Sequence, residues 1–247
     1  MTKVAFIFPG QGSQTVGMGK QFAETDEKSK RFLEQADQVL GFQLSQLIME
    51  GPQEELTLTY HAQPALLTVG SMVAARLAEA GITPDYTAGH SLGEYTALVA
   101  SGVLSFEDGV SVVHQRGLYM NEAVPAGEGA MAAILGLDGE KLKEVTDSIT
   151  ESGFAVQPAN LNCPGQIVIS GTKEGVDKAC VQLKEAGAKR AIPLDVSGPF
   201  HSSLMQPAAE KLGNTLDAVE MKDASIPVIA NVNAAAVTDS SEIKGLL

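Results

Sequence analysis

Basic residues are scarce in this chain: 17 Lys and Arg stand against 30 Asp and Glu in 247 residues, a formal net charge of −13. Nucleic acid and anionic membrane surfaces are both bound through a local excess of Lys and Arg, so neither is an expected partner. Cysteine is scarcer still. The two present, Cys163 and Cys180, imply no disulfide framework. Cys163 falls in a predicted turn and reads as a free thiol, with a nucleophilic thiol as the alternative. The four histidines (His61, His90, His114, His201) lack metal-ligand spacing, so no metal site is expected. Long apolar runs are also missing. After Met1-Thr2-Lys3 the apolar stretch at 4–8 is too short for the core of a signal peptide, and a cytoplasmic protein is expected. What remains is an ordinary globular composition, 44% hydrophobic, long enough for one domain or two.

Patterning along the chain predicts alternating elements. A buried strand is expected at 4–8, a turn-rich loop at 9–19, and helices at 28–40 and 63–80. A short strand at 85–89 feeds a mostly apolar helix at 91–101. The next helix starts at Ser105, carries Glu107 and Asp108 in its first turn where negative charge is favoured, and is stopped by Pro125. This alternation predicts an α/β architecture with a mainly parallel sheet. Beyond Gly127 the rhythm becomes strand 130–137, helix 138–151, strands 155–162 and 166–170, helix 173–186 and strand 189–196. That β-α-β-β-α-β order is the split ferredoxin-like unit, expected as an inserted subdomain at 128–197. The larger subdomain then comprises 1–127 and 198–247, with a helix at 203–218, a strand at 227–232 and the start of a helix at 241–247.

Candidate chemistry centres on Gly89-His90-Ser91-Leu92-Gly93, between the strand at 85–89 and the following helix. A serine between two such glycines is the nucleophile elbow, a sharp strand-to-helix bend that leaves the hydroxyl exposed. The N-terminus of the following helix offers N–H groups and a positive dipole end to a developing oxyanion. With 25 glycines in the chain the pattern is only moderately specific, and a plain glycine-rich turn competes with it. Pro9-Gly10-Gln11-Gly12-Ser13-Gln14 begins a dinucleotide fingerprint that fails at Thr15, where the third glycine belongs. Its bare backbone suits either an oxyanion N–H or a simple tight turn. Arg116 is out of place: its helical neighbours Val112, Val113, Tyr119 and Met120 form an apolar face. Either an internal carboxylate pairs with it or it grips a substrate carboxylate. His201, in a loop shaped by Gly198 and Pro199, is a candidate general base.

These segments together resemble the malonyl-CoA:acyl carrier protein transacylase family. The matching stretches are Phe8-Pro9-Gly10-Gln11-Gly12-Ser13-Gln14, Gln63-Pro64-Ala65, Gly89-His90-Ser91-Leu92-Gly93-Glu94-Tyr95 and Arg116-Gly117. Gly129-Ala130-Met131-Ala132-Ala133, Asn160-Leu161-Asn162-Cys163-Pro164-Gly165-Gln166 and Gly198-Pro199-Phe200-His201-Ser202 continue the series in family order. The resemblance implies an α/β-hydrolase-like large part with the ferredoxin-like insert, and family members that run on well past Leu247. That further part would complete the sheet and orient the histidine. It implies Ser91 as acyl-accepting nucleophile, His201 as its base, and Gln11 and Leu92 as backbone donors to the oxyanion. Arg116 would hold the malonate carboxylate. Phe200 would favour malonyl over methylmalonyl groups, unless it is a plain core aromatic, and Met120 and His90 would join in substrate binding. Malonyl-CoA and acyl carrier protein are the implied partners, no cofactor is needed beyond the coenzyme A thioester substrate, and the product is the extender unit of fatty acid synthesis. Two alternatives stand beside this. One is a serine hydrolase (thioesterase or carboxylesterase) with Asp138 or Asp195 as triad acid; the other is a truncated carrier-protein binder without turnover. Because the carrier is itself acidic, docking would need a basic patch, for which Lys173, Lys178, Lys189 and Arg190 are candidates, with a solvated face as the alternative.

Overall fold

The computed structural model describes residues 2–125 and 127–247. Met1 and Ala126, inside the expected segment 1–127, lie outside the described residues. The chain runs β1 (Ala5–Phe8), α1 (Lys20–Thr25), α2 (Glu27–Leu40), α3 (Leu44–Glu50), α4 (Gln53–Thr57), α5 (Thr59–Glu79), β2 (Tyr86–Gly89), α6 (Leu92–Ala100) and α7 (Phe106–Glu122). It continues with β3 (Gly129–Leu135), α8 (Gly139–Glu151), β4 (Val156–Cys163), β5 (Gln166–Thr172), α9 (Lys173–Glu185) and β6 (Arg190–Pro193). A short 3₁₀ turn at Ser203–Met205 leads into α10 (Gln206–Asp217), β7 (Val228–Ile229), β8 (Ala236–Val237) and α11 (Ser240–Leu246). Two compact units result, one of Met1–Gly117 with Leu212–Leu247 and one of Leu118–Lys211.

In the first unit the sheet order is β1-β2-β7-β8. β1, β2 and β7 are parallel, with Phe8 opposite Gly89 and Ala88 opposite Ile229, and β8 closes the sheet as an antiparallel hairpin partner of β7. The architecture is mixed α/β. α5 is rich in Ala, Leu and Val and buries residues around most of its circumference, including Gln63, Leu67 and Met72, as suits a helix covered on several sides. The expectation of a buried first strand needs correction. β1 is the edge strand, its residues alternate between faces, and Ile7 is 76% exposed while Phe8 is buried. An apolar groove of about 440 Å³ runs beside it, lined by Phe6, Phe8, Leu66, Val69, Val73 and Leu77. The strand expected at 227–232 shrinks to Val228–Ile229 because a tight turn begins at once: Ala234 N–H bonds the Ala230 carbonyl and Ala230 N–H bonds that of Ala235.

The second unit is built on an antiparallel sheet in the order β4-β5-β3-β6. Strand alternation sorts its side chains into two layers. Ala132, Ile134, Ile167 and Ile169 pack with Leu142 and Ile149 of α8 and Val176 and Leu183 of α9. Met131 and Val168, one residue out of phase, pack with Met120, Phe200, Met205 and Ala208. This second layer explains why the compact unit reaches beyond 128–197: the end of α7 and the start of α10 supply part of its core. Thr172 caps α9 by accepting the Gly175 N–H at 3.1 Å, and Asp138 caps α8 by accepting that of Glu140 at 2.9 Å.

Candidate active site

The sharp bend between β2 and α6 places Ser91 at its apex, with φ 51° and ψ −105°. A β-carbon strains this conformation, and residues held in such regions cluster at functional sites. The flanking glycines are there for space. A Cβ on Gly89 would lie 1.9 Å from the Gly93 carbonyl carbon, and one on Gly93 would lie 2.3 Å from the Phe8 carbonyl oxygen. Strand β1, the bend and the first turn of α6 therefore cross at backbone contact. The His90 N–H donates to the Phe8 carbonyl at 3.0 Å, and the Gly93 N–H to that of His90 at 2.9 Å. Leu92 opens α6, at the helix end that favours negative charge.

Arg116 meets Ser91 directly. Its Nη2 donates to Ser91 Oγ at 3.0 Å and its Nη1 to Gln63 Oε1 at 2.7 Å. The guanidinium also stands 5.4 Å from the centre of the Tyr95 ring, a cation–π distance. Only 9% of Arg116 is exposed, so a charge on an apolar helix face is held by two neutral acceptors and an aromatic ring. Such a cation can still accept an anion.

Below the bend lies a second set of polar contacts. Asn231, just past β7, accepts the Ser91 N–H on Oδ1 at 2.8 Å and donates from Nδ2 to the Gly89 carbonyl at 2.7 Å. Its own N–H donates to Glu94 Oε1 at 3.1 Å. Burial pushes the Glu94 carboxyl up to about 7, against the Asn231 N–H and the Arg116 guanidinium, which pull it down. In the sequence Gln63 and Glu94 stand only within the stretches that carry the resemblance, with no role of their own, and Asn231 stands in none of them. For Gln63 and Glu94 a signal existed, a polar side chain within an apolar helix; Asn231 in an Asn-Val-Asn turn carried none.

The remaining candidates are distributed as follows. Gln11 follows β1, and its Nε2 donates to Thr59 Oγ1 at 3.1 Å. His90 is exposed beside Ser91, and its carbonyl would lie 2.6 Å from a Cβ on Gly10. Phe200 and Met120 are brought together in the core of the second unit. His201 belongs to that unit, exposed and in a left-handed conformation with φ 58°. Asp138 is occupied as a helix cap. Lys173 pairs with Asp177 and Lys178 with Glu174, both on their own helix. Cys163 is an exposed free thiol at the end of β4. Among the described residues no helix is long and apolar enough to cross a membrane.

A serine exposed at a strand–helix elbow is an arrangement known to serve covalent catalysis through a serine ester. The chain belongs to the acyl transferase domain family, which matches residues 5–243. It is 64% identical over 244 residues to the malonyl CoA-acyl carrier protein transacylase of Bacillus subtilis, covering 99% of this chain and 77% of the relative. The solved malonyl CoA-acyl carrier protein transacylase of Coxiella burnetii superposes with a TM-score of 0.96 at 42% identity, covering 99% of this chain and 78% of that one. A malonyl-transacylase solved in complex with its type II polyketide acyl-carrier protein gives 0.95 at 42% identity, covering 99% and 79%.

Proposed function

We propose that this protein moves the malonyl group of malonyl-CoA to the phosphopantetheine thiol of acyl carrier protein through an ester on Ser91, supplying the extender unit for fatty acid synthesis. The observation that carries this reading is the 3.0 Å approach of the Arg116 guanidinium to Ser91 Oγ. A fixed cation next to the nucleophile is matched by an acyl group that ends in a free carboxylate. The relatives' names supply the same substrate class.

In the first half-reaction His201 takes the Ser91 proton as the oxygen attacks the thioester carbonyl. The N–H groups of Gln11 and Leu92 stabilise the oxyanion, the carbon–sulfur bond breaks, and coenzyme A leaves with the proton. In the second, the carrier thiol gives its proton to His201, attacks the ester and returns the hydroxyl to Ser91. The roles of His201, Gln11, Leu92, Phe200, Met120 and His90 are carried by the family pattern. No cofactor enters this scheme, and a cytoplasmic setting suits its substrates. The parallel order β1-β2-β7 with Ser91 after β2 supports an α/β-hydrolase-like large subdomain at 1–127 and 198–247. The antiparallel order β6-β3-β5-β4 supports a ferredoxin-like subdomain at 128–197.

Mass measurement of the intact protein after brief exposure to malonyl-CoA tests the reading. One malonyl group should add, remain against water, and leave when a pantetheine thiol is supplied; Ser91→Ala should not label. Discharge to water as fast as to thiol would make the protein a hydrolase, and labelling that survives Ser91→Ala would remove the nucleophile.

A further inference from the structure

The ladder between β2 and β7 shows how the strained Ser91 conformation is held. Main-chain pairing runs from Thr87 opposite Val228 to Ala88 opposite Ile229 and stops there. One step further the bend carries the main chain of Ser91 out of line, and the Asn231 side chain takes over the ladder. A primary amide presents a donor and an acceptor in one plane, as a peptide unit does. Asn231 uses both, on the Gly89 carbonyl and the Ser91 N–H, so it spans the bend from one side to the other. Its main-chain N–H is tied to Glu94, on the helix turn that follows the bend. Gly89, Ser91, Glu94 and Asn231 thus close a loop in which each side of the elbow fixes the other.

We infer that Asn231, held by Glu94, is a positioning residue for acyl transfer: it sets the backbone of the Ser91 bend and with it the direction of the hydroxyl. The inference rests on Ser91 being the acyl acceptor, as proposed above. Aspartate fits the same space and still accepts from the Ser91 N–H. It replaces the donor facing the Gly89 carbonyl with an oxygen, however, and turns attraction into repulsion.

The test uses Asn231→Asp and Asn231→Ala in the full chain, with thermal unfolding showing that each variant is folded. At saturating malonyl-CoA the labelling rate should fall about 10- to 100-fold in each, as expected for the loss of hydrogen bonds that orient the nucleophile. The half-saturating concentration should stay within about threefold, the pattern of an interaction that matters to the transition state and not to binding. Reaction with a small uncharged sulfonyl fluoride, which has no carboxylate for Arg116, should slow by a similar factor. A folded Asn231→Asp protein that labels at the wild-type rate overturns the inference, as does a change confined to half-saturation. Ser91→Ala is run in parallel. Labelling that survives in it strikes the nucleophile assignment, whereas absence there with full rates in both Asn231 variants strikes only the positioning role.

Discussion

At the scale of single residues, Arg116 and Glu94 show how burial changes the behaviour of a charge. Arg116 is legible in sequence because a guanidinium among Val112, Val113 and Met120 is anomalous, but the choice between an internal ion pair and a substrate grip is settled by neither spacing nor composition. Its neutral acceptors, Gln63 and Ser91, leave its charge available to an incoming anion. A charge-assisted hydrogen bond contributes about 1.5–3 kcal/mol, so Arg116→Ala should lower the preference for malonyl- over acetyl-CoA roughly 10- to 150-fold. Equal losses for the two thioesters in competitive labelling would refute that role. Glu94 sets a pH dependence. The folded protein keeps its proton to about 7, while an unfolded glutamate releases it near 4.5. Between those values the folded state binds more protons, so this carboxyl's contribution to stability falls as pH rises through the window and stays reduced above it. Glu94→Gln cannot ionise and should gain on the wild type across that range, a trend that urea midpoints at several pH values would reveal.

At the scale of elements, the long periodic helices and the strands with strong alternation were readable, and the short pieces were not. α2 and α5 match their expected positions to within a few residues: α2 has an amphipathic repeat, and α5 is an Ala-, Leu- and Val-rich stretch closed by Gly81. α1, α3 and α4 span 6, 7 and 5 residues, too short for a repeat to register, and their folding depends on packing. The bend at Ser91 was legible for a different reason: its glycines are demanded by backbone contact, which leaves a fixed mark in sequence. Asn231 acts through a side chain reaching back some 140 positions, and local sequence holds no trace of that distance. Gly93→Ala forces a Cβ to 2.3 Å from the Phe8 carbonyl, so it should cost about 1–3 kcal/mol as overpacking does, read by thermal unfolding, and slow malonyl labelling as well. Thr172→Ala removes the α9 cap and should cost about 1 kcal/mol without altering the labelling rate, because among the described residues its hydroxyl reaches only the Gly175 N–H and the Ala155 carbonyl.

At the scale of the whole molecule, each unit carries an edge strand with an exposed apolar side chain. The second packs side chains from α7 to α10 on both faces of its sheet but leaves Leu161, on edge strand β4, 76% exposed. The first leaves edge strand β1 with Ile7 largely exposed beside an apolar groove. Edge strands with apolar side chains invite pairing between chains, and a charge at such a position opposes it. Ile7→Lys should therefore reduce self-association at high protein concentration, measured by light scattering. The same position offers a spectroscopic handle. The chain has no tryptophan and only four tyrosines, so an indole introduced by Ile7→Trp would be its sole strong emitter. Any peptide, detergent or neighbouring molecule that settles over β1 would then announce itself as a shift of fluorescence towards the blue.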